Sequence, residues 1–213
     1  RNPPIWKAYI EAVKYFGIDG WFIYGGLHWK TDSKLQYKSE ITSRTDERLI
    51  VRNYWYGAAE LTGETTFYIA DSATTTEKPI KHIEKDWEKL KLFYPQILDA
   101  DASPLEEMRA ELGDLGPLGV CIGFPGFQSW LGYLQGGLEA LTYAYVDHPD
   151  LIEEWRQMEH SYCVRQMEFI VDAKPDFVIL GGSGSITLQS PAIFKHLSVP
   201  TIKEVTRMAK QAG

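Results

Sequence analysis

Aromatic and polar side chains follow three short apolar runs of the sequence. They are, in chain order, Tyr24, His28, Trp29, Phe124, Gln128, Ser183 and Ser185. Imidazole, amide and hydroxyl groups bind polar ligand atoms, and aromatic rings supply apolar contact area. If the three runs are neighbouring parallel strands, the loops after them gather on one side of the sheet. We therefore predict that these seven side chains line a common ligand-binding cleft.

The loop Gly181-Gly182-Ser183-Gly184-Ser185 follows the third apolar run. It does not satisfy the G-x-G-x-x-G pattern and lacks the lysine of a phosphate-binding Walker loop, so a nucleotide site is not favoured. Successive backbone N–H groups in such a loop can still bind an anion. A tight structural turn explains the same residues equally well, and both interpretations stay open.

Metal ligands are not clustered along the sequence. The histidines are His28, His82, His148, His160 and His196, and the cysteines are Cys121 and Cys163. No pair or triplet of them has zinc-ligand spacing, so we predict that residues of this chain bind no zinc or other metal. The two cysteines are predicted to be buried thiols. His28 stands apart because it lies in a loop that follows a predicted strand.

Composition and charge disfavour some classes of binding partner. The 213 residues carry 22 Lys and Arg against 29 Asp and Glu, a formal net charge of −7, which disfavours binding to nucleic acid. No apolar run approaches the roughly 20 residues of a membrane-spanning helix, and no signal peptide is recognised. The sequence therefore predicts a soluble, cytoplasmic protein with no nucleic-acid or membrane partner.

Hydrophobic spacing predicts alternating helices and buried strands. Strands are predicted at Trp21–Tyr24, Val120–Ile122 and Phe177–Leu180. The region from about 35 to 80 is predicted to be antiparallel, with strands Arg48–Tyr56 and Thr65–Ala70 around a turn at Leu61–Glu64. Helices are predicted at Ile5–Phe16, Ile83–Tyr94, Pro104–Leu112, Trp130–Tyr145, Pro149–Ala173, from Pro191 onward with Ser190 as its cap, and at Thr201–Ala212.

This order of elements predicts an α/β fold, namely a partial TIM (β/α)8 barrel with an inserted antiparallel β-hairpin region. A complete barrel needs about 250 residues, and only three barrel strands are recognised. Residues 1–213 are therefore predicted to be one domain that forms the front part of a longer barrel. Because three strands leave a sheet edge and an apolar face uncovered, we expect the missing half of the barrel or a second copy to pack against them.

Residues 123–137 contain a loop with phenylalanine and glycine, followed by Tyr133-Leu134-Gln135-Gly136-Gly137. This segment resembles the glycine-phenylalanine loop and Tyr-x-x-Glu-Gly helix of the uroporphyrinogen decarboxylase superfamily, with Gly136 in place of the glutamate. Later segments resemble the same family in the same chain order. Residues 175–194 resemble its strand, glycine-serine loop and Ser-Pro-x-x-Phe helix, and residues 200–213 its Pro-x-x-Lys helix. Lys78–Lys81 with Glu84–Trp87 is similar to the methyltransferase-like members.

The resemblance implies one of two chemistries. Porphyrinogen decarboxylation needs clustered arginines to pair with the substrate carboxylates, but no arginine lies between Arg1 and Arg44. The family's aspartate in the loop after the third strand is also absent from Gly182–Ser185. We therefore predict a corrinoid-dependent methyltransferase that transfers a methyl group to a zinc-activated thiol. Porphyrinogen decarboxylation and non-catalytic binding of a corrinoid or small ligand remain the alternatives.

The resemblance also implies where the cofactors would bind. Zinc and a corrinoid are implied as cofactors of the full-length protein. The expected substrate is a small molecule or a corrinoid, and a corrinoid protein is a candidate partner. The family's His-x-Cys zinc ligands lie just past the helix that corresponds to the one ending at Gly213. Residues 1–213 are therefore expected to bind no cofactor by themselves and to lack turnover. No catalytic residue is assigned.

Overall fold

The helices and strands alternate only in part of the chain. The computed structural model describes residues 4–182 and 187–213, with only the backbone for Tyr24 and Gly25. The helices are α1 (Ile5–Phe16), α2 (Trp87–Lys91), α3 (Ser103–Leu112), α4 (Phe127–Trp130), α5 (Gly137–Asp147), α6 (Pro149–Ala173), α7 (Pro191–Leu197) and α8 (Val199–Ala212). The strands are β1 (Phe22–Gly25), β2 (His28–Thr31), β3 (Leu35–Arg44), β4 (Arg48–Gly57), β5 (Leu61–Tyr68), β6 (Thr74–Glu77), β7 (Ile97–Asp101), β8 (Leu118–Gly123) and β9 (Phe177–Leu180).

The three apolar runs predicted to be strands form one parallel sheet in the order β1-β8-β9. Phe22 is in register with Leu118, and Val120 is in register with Val178. Helices cover one face of this sheet, because Phe22, Leu118 and Val120 are buried in a core with residues of α1, α3, α6 and α8. The predicted adjacency and direction of these strands are confirmed.

The predicted partial (β/α)8 barrel is wrong. Among the described residues the parallel sheet has three strands and is open, with β1 and β9 at its edges. A barrel of this type places a helix after every strand, whereas six strands, β2 to β7, lie between β1 and β8. All the pairings among those six strands are antiparallel. The protein is a mixed α/β fold.

The antiparallel strands form two separate sheets. β3, β4, β5 and β6 pair in sequence order, and β2 pairs with β7. The turn predicted at Leu61–Glu64 is wrong, since these residues begin β5 and pair with β4. Sequence patterns did not indicate β2 or β7. These two strands pair although about 70 residues separate them in the sequence, and His28 is in register with Asp101.

Two predicted helices are shortened in the structure, and α3 and α8 begin one and two residues before their predicted starts. The helix predicted over Ile83–Tyr94 contains only α2. Of the helix predicted over Trp130–Tyr145, Trp130 is the last residue of α4, and α5 begins only after Gly136, whose φ of 86° right-handed helical backbone cannot adopt. The predicted bounds of α1 and α6 are confirmed.

The interior contains two hydrophobic clusters, and α6 contributes to both. Its first half packs Ile152 and Trp155 with α2, α4, α5 and the base of the four-stranded sheet. Its second half packs Met167 and Ile170 against the parallel sheet. None of the helices in the described ranges is long and apolar enough to cross a membrane.

Candidate functional site

The loop after β8 presents Phe124 and Gln128 at the carboxyl edge of the parallel sheet. The Ser129 hydroxyl oxygen accepts a hydrogen bond from the Phe124 backbone N–H at 3.2 Å, which closes the loop on itself. The short helix α4 then begins at Phe127 and carries Gln128 in its first turn. Phe124 and Gln128 are both half-buried, so part of each side chain faces solvent.

The loop after β9 meets the loop after β8. The Gly181 N–H donates to the Gly123 carbonyl oxygen at 2.9 Å. A Cβ placed on Gly182 would lie 3.0 Å from Phe124 Cε1 and 3.5 Å from Gln128 Nε2. The structure therefore brings together Phe124, Gln128 and the first residues of the glycine-serine loop.

A buried carboxyl group fixes the loop that follows β8, residues 124–126, which we call the β8 loop. Glu159 of α6 accepts hydrogen bonds at Oε2 from the Gly126 N–H at 2.8 Å and from Trp130 Nε1 at 2.9 Å. Burial raises the pKa of Glu159 to about 8, although its hydrogen bonds to Gly126, Trp130 and Ser129 act in the opposite direction. The carboxyl group is therefore mostly protonated at neutral pH.

The junction of α7 and α8 holds the same loop from a second side. The Ser198 hydroxyl donates to the Pro125 carbonyl oxygen at 2.7 Å, and Gln189 Nε2 donates to Ser198 Oγ at 3.0 Å. A Cβ on Gly126 would lie only 2.8 Å from Ser198 Oγ. This packing fixes the loop that carries Phe124 and Gln128.

An aromatic layer lies beneath the loop. The rings of Trp130 and Trp155 stack with centroids 4.3 Å apart, and Trp155 Nε1 donates to the Tyr94 hydroxyl at 2.8 Å. Burial raises the pKa of Tyr94, and it raises the pKa of Tyr133 to about 12. Both phenols stay protonated at neutral pH, so this layer supplies a rigid, uncharged support.

The other predicted site residues are not placed in this group by the structure. His28 and Trp29 belong to β2, in register with Asp101 and Ala100 of β7, and the Trp29 ring packs edge-on against Phe169. Ser183 and Ser185 lie outside the described residues, as does the side chain of Tyr24. The candidate site is therefore defined here by Phe124, Gln128 and Gly182.

Within residues 4–182 and 187–213, no three His, Cys, Asp or Glu side chains are grouped so as to hold a metal ion. The described residues thus do not fit a zinc centre. Of the two predicted buried thiols, Cys163 is buried, but Cys121 is exposed. The prediction for Cys121 is wrong because strand residues alternate between faces, and Cys121 points away from the helices that cover Val120.

Sequence reasoning missed Glu159 and Ser198. Glu159 lies four residues after Trp155 and four before Cys163, both buried on the core-facing side of α6. A carboxylate at that spacing on an apolar stripe is a signal for a buried, hydrogen-bonded acid. Ser198 gives no comparable signal, because its contact with Pro125 joins segments 73 positions apart.

We compared the chain with models of protein families, with curated proteins and with solved structures, and none of them matches it. The resemblance to the uroporphyrinogen decarboxylase superfamily therefore stays a prediction.

Proposed function

We propose that this protein takes part in corrinoid-dependent methyl transfer and that its carboxyl edge binds the small-molecule methyl donor. The observation that carries the binding role is the convergence of Phe124, Gln128 and Gly182 between two strand-end loops. Ligands of open parallel sheets bind outside the carboxyl ends of the strands. The choice of methyl transfer follows from the motif resemblance.

Each part of this edge has a definite role in binding. The Phe124 ring offers apolar contact area, and the Gln128 amide can donate to and accept from polar ligand atoms. Glycine at position 182 lets the Phe124 ring pack closely against the backbone of the second loop, since a Cβ there would lie 3.0 Å from Phe124 Cε1. A methylated corrinoid, when bound, supplies the transferable methyl group, and the described residues bind and orient it.

The support behind the loop makes this edge pre-organised. Glu159 and Ser198 fix the backbone at Gly126 and Pro125, so Phe124 and Gln128 need little ordering when a ligand binds. Ordering a mobile loop costs binding free energy, and a fixed loop avoids that cost.

Equilibrium dialysis against methylcobalamin, with bound corrinoid read by visible absorbance, tests the proposal. We expect saturable binding that Gln128→Ala weakens about fivefold, the cost of one lost hydrogen bond. Gln36→Ala is the matched control, since Gln36 is an exposed glutamine of β3, away from the site. We expect its affinity to equal that of the unaltered protein.

The same dialysis experiment with uroporphyrin distinguishes methyl transfer from porphyrinogen decarboxylation. Binding of uroporphyrin in preference to methylcobalamin, weakened by Gln128→Ala, would overturn methyl transfer in favour of porphyrinogen decarboxylation. If neither tetrapyrrole binds, or if both glutamine variants behave alike, the carboxyl edge is not the site.

A further inference from the structure

A groove away from the carboxyl edge lies between the four-stranded antiparallel sheet and the segment Pro79–Lys89. Its volume is about 460 Å³, within the range of roughly 300–1,000 Å³ that small-molecule sites occupy. Lys38, Tyr54 and Tyr56 line one wall, and Lys81, Asp86 and Lys89 line the other. We call this cavity the lysine groove.

Aromatic rings form the sheet wall of the lysine groove. Tyr54 and Tyr56 are alternate residues of β4 and therefore project from the same face of the sheet. Lys38 of β3 is in register with Tyr54, and its Nζ lies 4.8 Å from the centre of the Tyr54 ring. This wall thus offers flat apolar surface next to an ammonium group.

Three lysines bring their ammonium groups to the lysine groove. Lys38, Lys81 and Lys89 line it together with two carboxylates, Glu60 and Asp86. Each ammonium group already has a carboxylate partner, so an anionic ligand has to displace one of these partners to bind.

Two of the three ammonium groups have partners that do not line the groove. Lys38 Nζ pairs with Glu40 at 2.9 Å, and both side chains of that pair are more than half exposed. Lys81 Nζ pairs with Glu77 at 2.8 Å. An exposed ion pair contributes little free energy, so a ligand anion can compete with Glu40 for Lys38 at small cost.

The wall opposite the sheet is held in place by a buried carboxylate. Asp86 Oδ2 accepts hydrogen bonds from the backbone N–H groups of Lys81 and His82, each at 3.0 Å. Asp86 Oδ1 accepts from Lys89 Nζ at 2.7 Å. The side chains of Lys81 and Lys89 are therefore carried on a segment with fixed backbone geometry.

We propose that the lysine groove is a binding site for a small planar anion, an aromatic ring that carries a carboxylate or a phosphate. The ring packs against Tyr54 and Tyr56, and the anionic group pairs with the ammonium group of Lys38 in place of Glu40. This site does not depend on the function proposed for the carboxyl edge.

Isothermal titration calorimetry of the unaltered protein with four probes tests the proposal. Benzoate and phenyl phosphate carry both the ring and the charge, benzyl alcohol carries only the ring, and inorganic phosphate carries only the charge. We expect benzoate or phenyl phosphate to bind at least tenfold more tightly than either single-feature probe. Comparing those two identifies which anionic group the site prefers.

Variants locate the binding in the lysine groove. Lys38→Met and Tyr54→Leu are each expected to weaken binding of the preferred probe about fivefold, as expected for one ion pair or one ring contact. Lys30→Met is the matched control, because Lys30 is also an exposed strand lysine and pairs with Asp99 at 2.7 Å outside the groove. We expect it to bind like the unaltered protein.

Three results would overturn the proposal. The first is that benzyl alcohol or inorganic phosphate binds as tightly as the ring-bearing anions. The second is that none of the four probes binds. The third is that Lys30→Met weakens binding as much as Lys38→Met does. The probe series uses only the unaltered protein, so the test holds even if a variant fails to fold.

Discussion

Glu159 connects the stability of the interior to the geometry of the candidate site. Its Oε2 is the acceptor for one backbone donor of the β8 loop and one indole donor of the aromatic layer. Burial makes the charged form of this carboxyl unfavourable, so its pKa in the folded protein is about 8 instead of 4.5. The folded protein therefore binds a proton here that the unfolded chain releases near pH 4.5.

The free energy of unfolding is expected to fall as the pH rises from about 4.5 to 8. Over this interval the folded state holds the Glu159 proton more tightly than the unfolded state, so the contribution is complete below pH 4.5 and lost above pH 8. A single group changes the free energy by at most about 1.4 kcal/mol per pH unit. Urea unfolding at several pH values measures this, and Glu159→Gln should flatten the profile between pH 5 and 8.

Glu153, on the same helix, has the opposite effect on how the free energy of unfolding depends on pH, and it serves as the comparison. A hydrogen bond from Arg156 lowers the pKa of Glu153 to about 2, against the effect of partial burial. Its contribution is therefore present above pH 4.5 and is lost as the pH falls toward 2. Glu153→Gln should leave the slope between pH 5 and 8 unchanged; if it flattens that slope as Glu159→Gln does, the assignment to Glu159 is wrong.

The β8 loop tolerates no side chain at Gly126. Its backbone angles, φ 90° and ψ −151°, belong to a region that is essentially restricted to glycine, and a Cβ would press on Ser198 Oγ. We expect Gly126→Ala to lower the free energy of unfolding by about 2–4 kcal/mol, combining backbone strain with lost packing. It should also weaken ligand binding at the carboxyl edge.

Gly17 provides the control for backbone strain alone. This residue ends α1 with a φ of 61°, and a Cβ there would meet nothing within 4 Å. Gly17→Ala should cost only about 1 kcal/mol, the ordinary penalty of left-handed backbone. Equal costs in chemical denaturation would show that Ser198 does not constrain the loop.

Turn and capping residues in the sequence predicted the helices whose ends they determine. The bounds of α1 and α6 follow from Gly17 and Pro149 at their ends, and Ser190 caps α7 by accepting from the Ile193 N–H, as its position before Pro191 predicts. The short span of each apolar run was also sufficient to predict the parallel strands.

These local signals could not predict contacts between segments that are distant in the sequence. β2 and β7 pair across about 70 residues, and neither has a hairpin turn that would reveal its partner. The barrel prediction failed because three parallel strands are compatible with several α/β sheets, and closure depends on how the other strands pair. At the site, positions 124 and 128 were predicted, whereas their support by Glu159 and Ser198 depends on tertiary packing.

The parallel sheet has a second face, opposite the helices that cover Phe22 and Val120, and its described residues include exposed side chains. Trp21 stacks on Phe177 there at 5.8 Å between centroids, and Trp21 is 56% exposed. The sequence-based expectation that a second copy or further chain covers this face stays a prediction. Sedimentation velocity over a range of protein concentrations tests self-association, and Trp21→Lys should shift the distribution toward monomer if this face mediates it.

The two thiols lie on opposite sides of the parallel sheet and report different motions of the molecule. Cys121 is exposed on the face opposite the helical core, whereas Cys163 is 5% exposed on α6, where burial raises the pKa of its thiol. Alkylation requires an accessible thiolate. We expect iodoacetamide to modify Cys121 in the folded protein and Cys163 only after the core around α6 opens.

Mass spectrometry of each cysteine peptide against time and urea concentration measures both rates. The Cys163 rate should rise with urea in parallel with global unfolding, because α6 contributes to both hydrophobic clusters and cannot expose its buried face alone. The Cys121 rate should change little over the same range, and Cys121→Ser should remove the fast reaction without altering the slow one. Fast modification of Cys163 in the absence of urea would mean that α6 opens locally, and the support it gives the β8 loop through Glu159 would then be intermittent.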